Sequence, residues 1–168
     1  EKQVFIPDGN FELHHGDVVS FIATSKAAKE FFERIGMPNK PVHNTMIIGG
    51  GKAAYYLGKM LIDMGIEVKI IEIDRKRCRE LSELLPQATI INGDGTDEEL
   101  LNEEEIAYVD SLVPLTGIDE ENVLLALHAR EVSDAKVITK VNRNAFHNLI
   151  DKLDLGSVIY PKYITAEA

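Results

Sequence analysis

From residue 44 onward the apolar positions follow two alternating rhythms. Short apolar runs at Asn44–Ile48, Glu67–Ile73, Ala88–Asn92, Ser111–Leu115, Ala135–Lys140 and Ser157–Tyr160 read as strands. Between them the apolar residues recur at helical spacing. Helices are expected over Ala53–Met64, Arg75–Leu85, Asp97 to about Asn102, Glu120–Val132 and Asn144 to about Lys152, with Pro161 opening one more. Ala53, Leu57, Met60, Leu61 and Met64 form one stripe, read here as core packing against the sheet. Asp119 is placed to cap the helix that follows it. Strands alternating with helices imply right-handed crossovers and a parallel sheet covered on both faces.

One stretch organises this pattern. Thr45-Met46-Ile47-Ile48-Gly49-Gly50-Gly51-Lys52-Ala53-Ala54 is a strand that enters a glycine turn and opens a helix. Glycine lets the backbone approach a ligand without a Cβ in the way. The helix start offers unpaired N–H groups and the positive end of its dipole. Gly49-x-Gly51-x-x-Ala54 is the G-x-G-x-x-G/A form of the dinucleotide fingerprint. The next strand ends in acids, Glu72 and Asp74, at the offset where a carboxylate meets the adenosine ribose. The fold class is therefore α/β, a Rossmann-like doubly wound parallel sheet with strand order 3-2-1-4-5-6.

Residues 1–36 differ in character. Val4–Ile6, Phe11–Leu13 and Val18–Ala23 read as strands, the last one buried, with turns at Pro7–Asn10 and His14–Asp17. Thr24 or Ser25 could cap a helix running to Ile35 and ended by Gly36. So few elements close no core, so this segment is expected to be the closing part of a larger β-rich α+β module. Residues 37–43, with two prolines and no periodicity, read as a linker. Residues 44–168 form the nucleotide-binding domain. His14 and His15 are read as turn residues, because neighbours point to opposite faces and no further Cys or His lies near; no metal site is expected.

Composition narrows the function. A net charge of −10 argues against nucleic acid or anionic lipid as a partner. Cys78 is the single cysteine, so no internal disulfide forms, which fits a reducing compartment. No apolar run approaches a membrane span, so membrane work would require another protein as the anchor.

In doubly wound sheets, ligands bind beyond the carboxyl ends of the strands. That rule gathers Gly49–Lys52, Glu72–Asp74, Gly93–Thr96, Thr116-Gly117 and Lys140–Asn142 into one cleft. The N–H groups of Gly50, Gly51, Lys52 and Ala53 would hold a pyrophosphate, and the Lys52 side chain could add charge there. Glu72 is the first choice for the ribose hydroxyls and Asp74 the alternative. Either acid favours NAD over NADP, though Arg75, Lys76 and Arg77 could accept a 2′-phosphate or simply be a solvated helix turn. Asp94, Gly95 and Thr96 sit where an adenine edge would lie, or cap a helix. Thr116 ends the fourth strand, and Lys140 could reach phosphates or an acid across the cleft. A dehydrogenase needs an acid–base group held against a substrate. His128, His147 and Cys78 lie on helices away from the strand ends, so no catalytic residue is assigned and the nucleotide is expected to act as a signal.

Met46–Tyr56, Lys69–Leu85, Asn92–Leu101 and Leu115–Asn122 resemble the TrkA family, regulatory subunits of Trk-type potassium uptake systems, whose nucleotide domains are called RCK domains. The Gly93-Asp94-Gly95-Thr96 box followed by an acidic short helix is the most telling part. The resemblance implies an RCK N-terminal domain at 44–168 and the end of an RCK C-terminal module at 1–36. It implies a cytoplasmic subunit, peripheral on the inner face of the cell membrane. Such a subunit pairs into homo-oligomers and gates an integral-membrane potassium transporter or channel when NAD(H) or ATP/ADP binds. The family more often has aspartate where Glu72 stands and glycine where Ala54 stands. The apolar end Val158-Ile159-Tyr160 is expected to serve pairing. Two other functions fit the residues: the cofactor domain of an NAD-dependent oxidoreductase, and a structural dimerisation module with an empty cleft.

Overall fold

The computed structural model describes residues 9, 11–17, 22–37, 40–143, 150, 152–153 and 155–161. The chain divides into two units, Glu1–Lys40 and Pro41–Ala168.

In the first unit, helix α1 spans Ser25–Arg34. Thr24 caps it, its hydroxyl accepting from the Ala27 amide at 3.3 Å. The turn at His14–Asp17 is closed by Asp17 N–H donating to the His14 carbonyl at 3.1 Å, while the Asp17 carboxylate accepts from the His14 amide at 2.8 Å. Two expectations fail here. Phe11–Leu13 is irregular and exposed rather than a strand, and Ile22, expected in a buried strand, is fully exposed. Among the described residues of this unit, one helix offers these apolar residues no second layer to pack on. The expected strand at Val4–Ile6 and most of that at Val18–Ala23 lie outside the described residues.

The second unit runs β1 (Asn44–Ile48), α2 (Lys52–Asp63), β2 (Glu67–Glu72), α3 (Arg75–Leu84), β3 (Thr89–Asn92) and α4 (Glu98–Glu103). A 3₁₀ turn at Ile106–Tyr108 follows, then β4 (Ser111–Pro114), α5 (Asp119–Val132), β5 (Lys136–Lys140) and β6 (Ser157–Ile159). The strands are parallel, in the order β3-β2-β1-β4-β5-β6. The doubly wound sheet expected from the sequence is therefore present, and its order reverses between β1 and β4. The helix expected over Asn144–Lys152 falls largely outside the described residues, as does whatever follows Pro161.

Strand alternation divides the core in two. Met46, Ile48, Ile71 and Leu112 pack with Leu101, Leu125, Ala126 and Ala129 on one face. Ile47, Ile70 and Val113 pack with Ala54, Leu81 and Leu85 on the other. At the amino ends of the strands, the Asp110 carboxylate accepts from the His43 amide at 2.7 Å and the Asn44 amide at 3.3 Å, and the buried hydroxyls of Thr45 and Ser111 bond at 2.7 Å. These bonds fix β1 against β4, the pair that flanks the reversal point.

The expected α2 stripe is rotated. Ala54 and Gly58, both small, are the buried residues, while Met60 and Met64 are 63% and 71% exposed. Small residues let the helix approach the strands closely, so the large side chains are displaced to its flanks. Leu57 and Leu61 of the stripe are partly buried against the core, as expected, and with Ala53, Met64, Ile138 and Ile159 they edge an apolar groove of about 660 Å³. The Val158-Ile159-Tyr160 end also splits: Val158 and Tyr160 pack on the core and Ile159 faces outward.

Candidate functional site

Beyond the carboxyl ends of β1, β2, β4 and β5 lies a cleft of about 600 Å³. Its walls come from the glycine turn after β1, the acid end of β2, the Gly93–Thr96 box, the loop after β4 and the last residue of β5. Of the residues singled out in the sequence, Gly49, Gly50, Gly51, Glu72, Asp94, Gly95, Thr96, Thr116 and Lys140 line it. Lys52, Ala53 and Asp74 do not.

The glycine turn is built by close approach. Gly49 has φ +97°, a left-handed conformation, and its amide donates to the Ile71 carbonyl at 2.8 Å. A Cβ at Gly49 would sit 3.1 Å from the Leu115 and Thr116 backbone, so glycine is what lets the end of β4 close against the turn. Gly51 occupies the N-cap of α2 and supplies no side-chain cap. The helices α3 and α4 differ: Asp74 and Asp97 cap them. The first N–H groups of α2 thus lack a side-chain acceptor and head the helix dipole at the glycine turn.

Glu72 ties β2 to this turn. One carboxylate oxygen accepts from the Gly50 amide at 2.5 Å and the other from the Asp74 amide at 2.7 Å. A carboxylate has about four lone-pair sites, so each oxygen retains capacity for a ligand hydroxyl. Asp74, the alternative ribose acid, instead spends its carboxylate on α3, accepting from the amides of Lys76 and Arg77 at 2.8 and 3.3 Å. Arg77 was grouped with Arg75 and Lys76 as a phosphate acceptor or a solvated residue. It is neither: its Nε donates to the Gly50 carbonyl at 2.7 Å and Nη1 donates to Glu80 at 3.0 Å. The Gly50 amide and carbonyl are both held by side chains from the second βα unit. Nothing in the spacing of Arg77 signals that brace.

The Gly93–Thr96 box sits against β1. A Cβ at Gly95 would lie 2.2 Å from Ile48 Cγ2, so only glycine fits. The Asp94 carboxylate accepts from the Thr96 amide at 2.9 Å and its hydroxyl at 2.8 Å, and these bonds hold its pKa below the usual carboxylate range. Its other oxygen is turned to neither group.

The loops after β4 and β5 are joined by two α5 residues that sequence reasoning did not single out for this role. Asn122, fully buried, accepts from the Thr116 amide at 2.9 Å and donates to the carbonyls of Thr116 and Lys140 at 3.3 and 3.1 Å. Asp119 was expected to cap α5. The N-cap is Ile118, which makes no side-chain bond, and the Asp119 carboxylate turns to the β5 loop. It accepts from the Asn142 amide and side chain at 2.9 Å each and from the Arg143 amide at 2.8 Å. Burial pushes its pKa up, but these bonds outweigh burial and leave it below the usual range. The Thr116 hydroxyl bonds within its own loop to Ile118, and Lys140 Nζ reaches the Leu115 carbonyl at 3.5 Å.

Among the described residues, Cys78 and His128 lie elsewhere, and His147 falls outside the described residues. Cys78 is buried under α3 with its thiol on the Glu72 carbonyl at 3.2 Å, and burial, then the Glu72 charge, pushes its pKa up. His128 sits half-buried on α5 with Nε2 unbonded. Among the described residues no cluster of three His, Cys, Asp or Glu could hold a metal ion, and no helix is long and apolar enough to cross a membrane.

Comparisons with known proteins converge on one family. The model of the TrkA-N domain matches residues 45–161. The Trk system potassium uptake protein TrkA of Haemophilus influenzae is 33% identical over 162 residues, covering 96% of this chain and 35% of that protein. The chain therefore spans about a third of the length of this curated relative. Among solved structures, the TrkA-N domain of the inner membrane protein ybaL from Escherichia coli superposes with a TM-score of 0.67 at 19% identity, covering 77% of this chain and 95% of that one. The GsuK channel bound to NAD superposes at 0.59 and 18% identity, covering 79% of this chain and 25% of that one. At such identities the two structures speak for the fold alone. With its parallel sheet, its glycine turn and a match over most of its length, the chain belongs to the TrkA-N domain family.

Proposed function

We propose that this chain carries the nucleotide-sensing domain of a regulatory subunit of a Trk-type potassium uptake system. The observation that carries the reading is the cleft at the sheet's reversal point: a braced glycine turn that opens an uncapped helix and a carboxylate with spare acceptor capacity line one space. The α2 N–H groups would take the pyrophosphate, Glu72 the ribose hydroxyls, and the Asp94–Thr96 box the adenine side. NAD or NADH is the favoured ligand and ATP or ADP the alternative. The curated TrkA relatives support the setting, and the cleft's place at the reversal of strand order supports the ligand class.

In this reading the nucleotide is a signal. Cys78 and His128 lie outside the cleft. A ligand gates through different affinities for two states of the assembly. The partner is an integral-membrane potassium transporter, and the subunit works on the cytoplasmic face of the cell membrane. Residues 1–36 belong to the end of a preceding ligand module, with 37–43 as linker. Copies pair through their nucleotide domains, a role that the groove edged by Leu57, Leu61, Met64 and Ile159 supports.

The test is a thermal-shift series with NAD, NADH, ATP and ADP. A ligand of the folded state at a hundredfold excess over its Kd stabilises by about 2.7 kcal/mol. A shift with NAD(H), without turnover on prolonged incubation, supports the sensor. A shift with ATP or ADP alone keeps the sensor and changes its signal. Steady conversion of the nucleotide would overturn it in favour of an oxidoreductase, and no shift with any nucleotide would favour a structural module.

A further inference from the structure

Asn122 is a fully buried polar side chain whose every bond goes to a rim of the cleft. It accepts from one Thr116 group and donates to another, so it holds both sides of that residue's backbone. Its third bond reaches the carbonyl that ends β5. The loop it holds is also the one that closes on Gly49, where the missing Cβ leaves 3.1 Å to Leu115 and Thr116. Asn122 therefore connects two strand ends, those of β4 and β5, through a single carboxamide. An apolar residue there would pack equally well but would leave the Thr116 amide and two carbonyls without these partners.

The position of this brace matters. A doubly wound sheet has two mononucleotide-binding halves that meet where the strand order reverses. Gly50, Glu72 and the Asp94–Thr96 box belong to the β1-β2-β3 half. Thr116 and Lys140 belong to the β4-β5 half. Asn122 makes its bonds in the second half only. An adenine mononucleotide can be satisfied by the first half alone, whereas a dinucleotide must place its second nucleoside on the rim that Asn122 holds.

We infer that Asn122 is a positioning residue for the second half of a two-part nucleotide, and that it sets preference for a dinucleotide over a mononucleotide without touching the adenine half. This rests on the nucleotide-sensing reading above. An Asp at this position keeps the volume and the acceptor for the Thr116 amide. It turns the donor toward Thr116 and Lys140 into an oxygen that repels both carbonyls.

The experiment is calorimetric titration of NAD and of AMP into the unmodified chain and into Asn122→Asp, with melting temperature recorded for each. The expected result is a loss of tenfold or more in NAD affinity with AMP affinity within twofold. Lowering the pH, which protonates the introduced carboxyl and restores one donor, should recover part of the NAD affinity. Equal losses for both ligands, or an unchanged NAD affinity, would overturn the inference while leaving the sensing site standing. If the unmodified chain binds neither ligand, the nucleotide reading fails and this inference with it. Should Asn122→Asp not fold, amide resonances of the unmodified chain decide. Thr116 and Lys140 should shift with NAD and stay in place with AMP, and the reverse or no shift would refute the assignment.

Discussion

In the proposed reading, Glu72 serves structure and ligand together. Its carboxylate aligns the glycine turn through Gly50 and retains lone pairs for a ribose. The offset of this acid from the glycines was legible in the sequence, because strand, turn and helix have nearly fixed lengths. Arg77 was not legible, because its partner is a backbone carbonyl 27 positions away, and backbone groups carry no sequence signature. Arg77→Ala should leave the fold intact and weaken nucleotide binding about tenfold, corresponding to about 1.4 kcal/mol for a charged hydrogen bond that aligns the turn. Calorimetric titration beside a denaturation curve checks both parts. Asp119 makes a pH prediction. Its pKa is lowered in the folded chain, so its contribution is complete above the ordinary carboxylate range and is lost as pH falls below about 4 and through the native value. Asp119→Asn should be less stable at neutral pH and should lose less stability on acidification, as read from urea midpoints at pH 7 and pH 3.5.

Among the elements, the sheet was the easiest part to read. Strands with continuous apolar runs, separated by amphipathic helices, allow few topologies once crossovers are right-handed. The face that α2 presents was misread. Leu57 and Leu61 of its stripe do pack on the core, but the fully buried positions are Ala54 and Gly58, whose burial follows from close approach rather than hydrophobicity. The α5 start was misread for a related reason: an acid before an apolar helix usually caps it, but the β5 loop offers Asp119 more amide donors than its own helix does. The Gly93–Thr96 box is an element-scale fit between a turn and β1. Gly95→Ala would drive a Cβ into Ile48 and should cost about 1–3 kcal/mol of stability, as overpacking does. Gly51→Ala, at a position with open space and extended backbone, should cost well under that. Guanidinium unfolding of the two variants side by side tests whether the box is held by that contact.

For the whole molecule, the reversal of strand order between β1 and β4 gathers the glycine turn, Glu72, the Asp94–Thr96 box and the Asn122 brace around one space. The TrkA-N match extends over residues 45–161, which contain all of these pieces. The sequence proposes the ligand only as a class, since hydrogen-bond acceptors for a ribose do not distinguish NAD from ATP. The measurement that bears most directly on the account is calorimetric titration of NAD into the chain and into Glu72→Ala. The account predicts saturable one-site binding to the unmodified chain and a loss of at least tenfold in affinity in the variant, with the fold retained. Equal binding by both would contradict the placement of the ribose at Glu72, and no binding by the unmodified chain to NAD, ATP or ADP would contradict the sensing function itself.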